Sequence, residues 1–334
     1  MTSSPRPAIA VTGLHKAYGD KVVLDGIDLN VAAGSIFALL GPNGAGKTTA
    51  VQILTTYITA DSGEVEVAGH KVNQQPDAVR AAIGVTGQFS AVDGLLTGEE
   101  NLLLMANLHH LPKLAGRRLA TELLEKFDLV EAGKKPASTY SGGMKRRLDL
   151  AMSLVGDPRI IFLDEPTTGL DPRSRQTVWE IIRGLVAEGV TIFLTTQYLE
   201  EADRLADRIA VLDGGKLVAQ GTAEELKRLV PGGHVRLQFA DSAELALAVQ
   251  HLRDAAPDQD SLSLRVPNDG TVHSLRALLA RLDDASLEVE SLSVHTPDLD
   301  DVFFAVTGQP KTAIPANAHA NAASTDATEK ATIR

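Results

Sequence analysis

Near the N-terminus, short extended runs at residues 9–11, 22–24 and 27–31 alternate with Gly and Asp turns, which predicts an antiparallel β-layer. The pattern then changes. "SIFALL", residues 35–40, is a continuous apolar run bounded by Gly34 and Gly41, and Val51, Leu54 and Ile58 follow with helical spacing, predicting a helix over 47–57. Strand, Gly-rich loop and helix are therefore expected in that order. Residues 160–163 and 191–194 are again continuous apolar runs without alternation, as central parallel strands covered on both faces require. Each is joined to the next element by a helix-length segment. Between the helix over 47–57 and the run at 160–163, residues 99–110, 114–127 and the run after Gly143 have helical spacing and few β-branched residues, which predicts a helical subdomain over about 89–155.

Further along, "DGGKL" at 213–217 is a tight-hairpin signal, and Thr222 with Glu225 makes a capping box for a helix over 223–229. Pro231, Gly232 and Gly233 then break the chain. Strand-like stretches at 235–239, 262–266 and 287–294 interleave with helix-like stretches at 243–255 and 272–282, so 234–308 is expected to be a second, smaller α/β domain after a first spanning 8–230. Residues 309–334, rich in Ala, Thr and Asn without apolar periodicity, are expected to be a disordered tail.

Composition limits the possible functions. At 334 residues and 44% apolar content the chain has room for two packed domains. It has no cysteine, so disulfide and thiolate-metal chemistry are excluded. "MTSSPRPAIA" lacks the apolar segment of a signal peptide, and no apolar run approaches the roughly 18 residues of a membrane helix. Any membrane role would come through a partner. A formal net charge of −11 argues against a nucleic-acid partner, since phosphate neutralisation needs a basic surface.

Three motifs carry candidate chemistry. "GPNGAGKTT" (Gly41, Pro42, Asn43, Gly44, Ala45, Gly46, Lys47, Thr48, Thr49) matches the phosphate-loop pattern between a predicted strand and a predicted helix. Its glycines let backbone N–H groups curl round a phosphate, Lys47 reaches a phosphate oxygen and Thr48 a Mg²⁺ ion. "IIFLDEP" ends a buried strand with two carboxylates: Asp164 is placed to hold the Mg²⁺ shell and Glu165 to take a proton from an attacking water. A solvated acidic turn is the bland alternative, but ligands of open α/β sheets gather at this carboxyl edge. "YSGGMKRRLDL" opens a helix with Ser141, Gly142 and Gly143 and then sets Lys145, Arg146 and Arg147 in its first turn, where cations oppose the helix dipole. The helix end is either a second phosphate site or a solvated basic turn.

Taken together, the phosphate loop, "SGGMKRRL", "FLDEPTTGLDP" and the glutamine of "VTGQFSAVD" (Gln88) resemble, in order and content, the ATP-binding cassette (ABC) ATPases over about residues 8–229. "VTGQFSAVD", "YSGGMKRRLD", "GLDPRSR", "LTTQYLEEAD" and the C-terminal "TPDLDDVFFAVTG" most resemble the daunorubicin-resistance type of drug-export ATPase. The resemblance implies a P-loop NTPase of the ABC type: antiparallel β-layer, parallel-sheet core and helical subdomain, with the small C-terminal α/β domain appended. It implies ATP and Mg²⁺ as cofactors. Tyr18 would stack on adenine, Gln88 would contact Mg²⁺ or the water, and Asp171 would communicate across a dimer. Ser141, Gly142 and Gly143 would cap the γ-phosphate of ATP held by a second copy of the cassette. Tyr140 and Met144 depart from the commonest signature, which has Leu and Gln there. Gln197 stands where most of the superfamily has histidine, and the daunorubicin-resistance type resembles this chain in carrying glutamine.

The function so implied is an ATPase subunit on the cytoplasmic face of the cell membrane, driving a separate ABC permease that extrudes a drug-like or antibiotic-like compound. A soluble ABC ATPase acting on ribosomes or DNA is the alternative, although neither a second cassette nor a long coiled-coil insert is visible. A nucleotide switch without turnover is motivated only by Gln197, and Glu165 counts against it. The C-terminal domain shows no chemical motif, and a regulatory or dimer-stabilising role is expected of it. Its His234, His251, His273 and His295 lack metal-ligand spacing.

Overall fold

The structure is a computed structural model that describes residues 7–87, 90–230, 233–252, 254–268, 271–295 and 297–307. Gln88 and the expected 309–334 tail lie outside the described residues.

Three sheets organise the chain. Strands β1 (Ile9–Tyr18) and β2 (Lys21–Val31) pair antiparallel, and β4 (Ser62–Val67) with β5 (His70–Lys71) extends them into a layer of order β2-β1-β4-β5. The central sheet has the order β10-β9-β3-β8-β7-β6, from β3 (Ile36–Leu40), β6 (Ile83–Thr86), β7 (Ile160–Asp164), β8 (Thr191–Thr196), β9 (Arg208–Asp213) and β10 (Lys216–Gly221). All its pairings are parallel except the β9–β10 hairpin, whose Gly214 and Gly215 take positive φ as a tight turn requires.

The central strands read as unbroken apolar runs because both sheet faces are covered. Ile36, Ala38, Leu40, Ile161, Leu163, Ile192 and Leu194 share one core with the helical subdomain and with α6 (Pro172–Ala187). Their alternates Phe37, Leu39, Ile160, Phe162 and Phe193 share another with α1 (Lys47–Leu54) and the antiparallel layer. Phe193 is the hinge of that second core, with ring centroids 5.5 Å from Phe37 and 5.4 Å from Phe162. The expected helical subdomain consists of α3 (Gly98–Leu108), α4 (Lys113–Lys126) and α5 (Gly142–Ser153). The short helix α2 (Pro76–Ala82) and the strand after it carry no strong sequence signal: four residues, "IGVT", are too few to show a period.

Beyond α7 (Leu199–Leu205) and the capped α8 (Ala223–Lys227), the C-terminal sheet has the antiparallel order β12-β13-β11-β14. It comprises β11 (His234–Gln238), β12 (Ala256–Asp258), β13 (Ser263–Pro267) and β14 (Ser291–His295), with α9 (Ser242–His251) and α10 (Val272–Asp284) burying Leu245, Leu278 and Leu282 against it. The last helix, α11 (Leu299–Thr307), does not follow that core. Although the sequence places it with the small domain, Leu299, Val302 and Phe303 join the core of the first domain, and α11 packs on α7, α8 and β10. The apolar spacing of "LDDVFF" fixes an amphipathic helix but not which neighbour takes its face. Phe303→Ala should therefore destabilise the first domain, by about 3 kcal/mol, visible as a lower denaturant midpoint. An unchanged midpoint would mean that the contact is dispensable.

Candidate functional site

The site is assembled where β3, β7 and β8 end. Gly41 follows β3 and donates its N–H to the Thr196 carbonyl at the end of β8 (3.3 Å). No side chain fits there, since a Cβ on Gly41 would lie 2.3 Å from the Leu212 carbonyl oxygen. Gly46 opens α1 with φ 112°, and a Cβ on it would meet Leu24 Cδ2 and the Val23 carbonyl oxygen at 2.8 Å. Gly41 is thus required by β9 of the central sheet and Gly46 by β2 of the antiparallel layer. Ala45 closes the turn through its N–H to the Pro42 carbonyl (3.2 Å), leaving Asn43, Gly44 and Thr48 exposed around the mouth and Thr49 half-buried.

Lys47 is buried at 5% exposure, and its Nζ donates to the carbonyls of Gly41 (2.8 Å) and Pro42 (3.1 Å) while lying 3.7 Å from Glu165 Oε1. Burial pulls the ammonium pKa below its ordinary value, with Glu165 and then Asp164 opposing the shift. The cation is therefore incompletely compensated, and an incoming phosphate would supply the missing charge. Asp164 is held from both sides: Thr48 Oγ1 donates to Oδ2 at 3.2 Å and Thr195 Oγ1 donates to Oδ1. Hydroxyl and carboxylate together form the hard-oxygen set that suits Mg²⁺ with phosphate ligands.

Glu165 takes a left-handed φ of 48°, uncommon for a residue with a side chain, and its N–H donates to the Thr195 carbonyl at 3.1 Å. The turn swings the carboxylate off the strand to meet Thr168 Oγ1 (3.2 Å) and Gln197 Nε2 (3.4 Å), both donating to Oε2. Gln197 thus points at the other carboxylate of the edge, not back at its own backbone. Lys47, Thr48, Asp164, Glu165 and Gln197 all converge here.

A second group forms where α5 and α6 begin. Ser141 caps α5 by accepting from the Met144 N–H (3.2 Å), and Asp171 caps α6 by accepting from the Ser174 N–H (3.0 Å). The Ser174 hydroxyl, and next its N–H, hold the Asp171 carboxyl below its usual range. A Cβ on Gly143 would lie 2.6 Å from Ser174 Oγ, so the Ser-Gly-Gly turn rests directly on the residue that Asp171 caps. Of the three basic side chains that follow Gly143, two have partners within the fold. Arg146 turns inward to the Gly87 carbonyl (3.0 Å) and Asp149, and Arg147 donates to the carbonyls of Phe127 (2.9 Å) and Asp128 (3.0 Å). Both guanidiniums brace the helical subdomain. Tyr140, the departure from the usual signature, fills a pocket made by Gly98 and donates its hydroxyl to the Ala132 carbonyl at 2.7 Å. Tyr18 ends β1 with its ring 52% exposed, available for stacking, and Lys16 Nζ is 5.4 Å from its centroid.

Sequence reasoning missed the hydroxyl support. Thr195 and Thr196 are fully buried at the end of an apolar strand, and hydroxyls so placed were the available signal. The Arg146–Asp149 bracket was missed as well. Asp149 Oδ1 accepts from the Ala91 N–H (3.2 Å) while Arg146 holds Gly87, so the pair grips both described flanks of the segment containing Gln88.

The chain is similar to known proteins over most of its length. The ABC transporter family matches residues 24–168, and the DrrA1-3-like ATP-binding protein C-terminal domain matches 221–307. The chain is 48% identical, over 90% of its length and 96% of the relative's, to the daunorubicin resistance ATP-binding protein DrrA3 of Streptomyces coeruleorubidus. It is 38% identical, over 92% of its length and 90% of the relative's, to the Nod factor export ATP-binding protein I of Rhizobium meliloti (strain 1021). Among solved structures, a dimeric ATP-binding cassette in a post-hydrolysis state, bound to ADP and phosphate, superposes with TM-score 0.59 at 25% identity, covering 64% of this chain and 98% of that one. With the phosphate loop, the paired carboxylates and this degree of identity in agreement, the chain belongs to the ABC transporter ATP-binding proteins of the daunorubicin-resistance type and is an exporter ATPase.

Proposed function

We propose that this ATPase hydrolyses ATP between two copies of the cassette and drives a separate membrane permease that extrudes a drug-like compound. The observation that carries the reading is the convergence of Lys47, Thr48, Asp164, Glu165 and Gln197 on one sheet edge. Resistance to daunorubicin and export of Nod factor are named for the relatives. No helix among the described residues is long and apolar enough to cross a membrane, so the path for the compound is assigned to the permease and this chain to the membrane's cytoplasmic face.

In this reading the N–H groups of residues 43, 44 and 46–49 and the Lys47 ammonium bind the phosphates, and Tyr18 stacks on the base. Thr48 and Asp164 would hold Mg²⁺, together with Gln88, which lies outside the described residues; the ion would neutralise charge on the phosphate oxygens. Glu165 accepts the proton of the attacking water at its carboxylate, and Gln197 orients that water through its amide. Ser141, Gly142 and Gly143 close the phosphate loop of the second copy, and Asp171 relays between copies. The domain division follows the same reading: cassette over 8–230, helical subdomain over about 89–155, and a small domain from 234 that supports assembly.

Gln197 separates this mechanism from one with an imidazole. Gln197→Ala should lower kcat by at least about tenfold while the ATP affinity stays within about twofold. Gln197→His should keep substantial turnover but add a pH dependence near the unperturbed histidine pKa of about 6.5, absent with the amide. Steady-state kinetics between pH 5.5 and 8, conditions chosen to bracket that value, check both. Wild-type kinetics in the alanine variant would remove Gln197 from the mechanism.

A further inference from the structure

Glu201, on the first turn of α7, is wholly buried, yet it takes no part in the mechanism above. Its Oε1 accepts from Thr167 Oγ1 at 2.8 Å and from Trp179 Nε1 at 3.1 Å. Thr167 is itself 1% exposed and sits two residues beyond Glu165; Glu201 sits four residues beyond Gln197. The contacts therefore close a ring. From Glu165 the chain runs to Thr167, crosses by hydrogen bond to Glu201, returns along the start of α7 to Gln197, and crosses back to Glu165 through the 3.4 Å amide contact.

A carboxylate is an expensive group for this place. Burial raises its pKa, opposed by its hydroxyl and indole donors and by the charge of Arg175. Its Oε2 has no hydrogen-bond partner among the described residues, and neither has the buried Nε of Arg175. A residue retained only for packing would be served better by an apolar side chain of similar volume. What the carboxylate supplies that an apolar group cannot is an acceptor on α7 shared by two other elements: the loop after β7 and the middle of α6.

We propose that Glu201 is a positioning residue for hydrolysis: by tying Thr167 to the first turn of α7 it sets the separation of Glu165 and Gln197 across the attacking water. Glu201 touches none of the reacting groups. The inference rests on the assignment of Glu165 and Gln197 above, and it makes the short polar cross-link, not the helix as a whole, responsible for their alignment.

The test is steady-state ATP hydrolysis by the purified full-length chain, with unfolding midpoints measured in parallel and all rates taken below the lowest midpoint. Glu201→Ala and Thr167→Val should each lower kcat about tenfold to a hundredfold, with the KM for ATP within about twofold, since a displacement of about 1 Å is enough to cost that much. The double variant should be no slower than Glu201→Ala, because both changes cut the same link. Glu201→Gln keeps an acceptor oxygen for Thr167 and Trp179 and should restore most of the rate. Trp179→Phe removes one donor but leaves the Thr167 link, and should stay near the wild-type rate even where its midpoint falls. Should Glu201→Ala fail to fold, Thr167→Val and Glu201→Gln decide. Wild-type kcat in folded Thr167→Val, or multiplying losses in the double variant, would overturn the proposal. Glu165→Gln, assayed beside them, separates the two levels. If it is inactive while the Glu201 and Thr167 variants are unimpaired, only this inference falls; if it turns over normally, the assignment beneath falls and takes the inference with it.

Discussion

Glu165→Gln should lower ATP turnover by about a hundredfold or more while leaving ATP affinity nearly unchanged. Of the two carboxylates at the edge, Asp164 is committed to the hydroxyls of Thr48 and Thr195, whereas Glu165 meets Thr168 and Gln197 at Oε2 and faces Lys47 Nζ at 3.7 Å through Oε1. An amide of the same shape keeps an acceptor for Thr168 and loses the basicity. Affinity rests elsewhere, on Lys47 and the loop N–H groups. Because ATP stays bound, the variant should accumulate as a dimer when ATP and Mg²⁺ are added, giving a doubled mass by light scattering. Phosphate release measured beside equilibrium ATP binding checks the claim, and turnover at the wild-type rate would sink it.

Lys47→Ala should act on the other quantity, weakening ATP binding about a hundredfold or more. Removing one member of a buried charged group costs about 3–5 kcal/mol, and about 1.4 kcal/mol is a factor of ten in affinity. Here the loss is double. Phosphate forfeits its cation, and Glu165, whose side chain is 9% exposed, forfeits the only ammonium within 4 Å among the described residues. The lowered Lys47 pKa fixes the sign of the pH effect. Binding that depends on the charged ammonium should weaken as pH rises toward that lowered value, earlier than an unperturbed lysine would allow, and ATP should raise the pKa by supplying an anion. Calorimetric titration of ATP into wild type and variant measures the affinity. A dissociation constant unchanged in Lys47→Ala would show that the ammonium serves turnover alone.

Much of this site was legible as sequence because its chemistry is local. A phosphate loop needs its glycines, lysine and threonine within nine consecutive residues, and Asp164 and Glu165 are consecutive where one strand ends. The continuous runs in β3, β7 and β8 announce strands buried on both faces, and both faces are indeed packed. The same reading erred where a side chain has a choice of direction. Arg146 and Arg147 follow Gly143 in a turn that the sequence leaves open as a phosphate site or a solvated basic turn, but a guanidinium reaches several ångströms, and both donate to carbonyls of other segments.

Local spacing and chain chemistry thus determined the strand–loop–helix at residues 36–54, the adjacent carboxylates and the capped helices, since each depends on contacts over a few residues. Tertiary structure alone decided the rest: that α11 returns to the first domain, that Gly143 rests on Ser174, and that Glu201 grips Thr167 across 34 residues. Hydrophobic burial is non-directional, so an apolar face read from sequence names no partner. A buried polar group does demand one, and only the folded chain shows which donors come within reach.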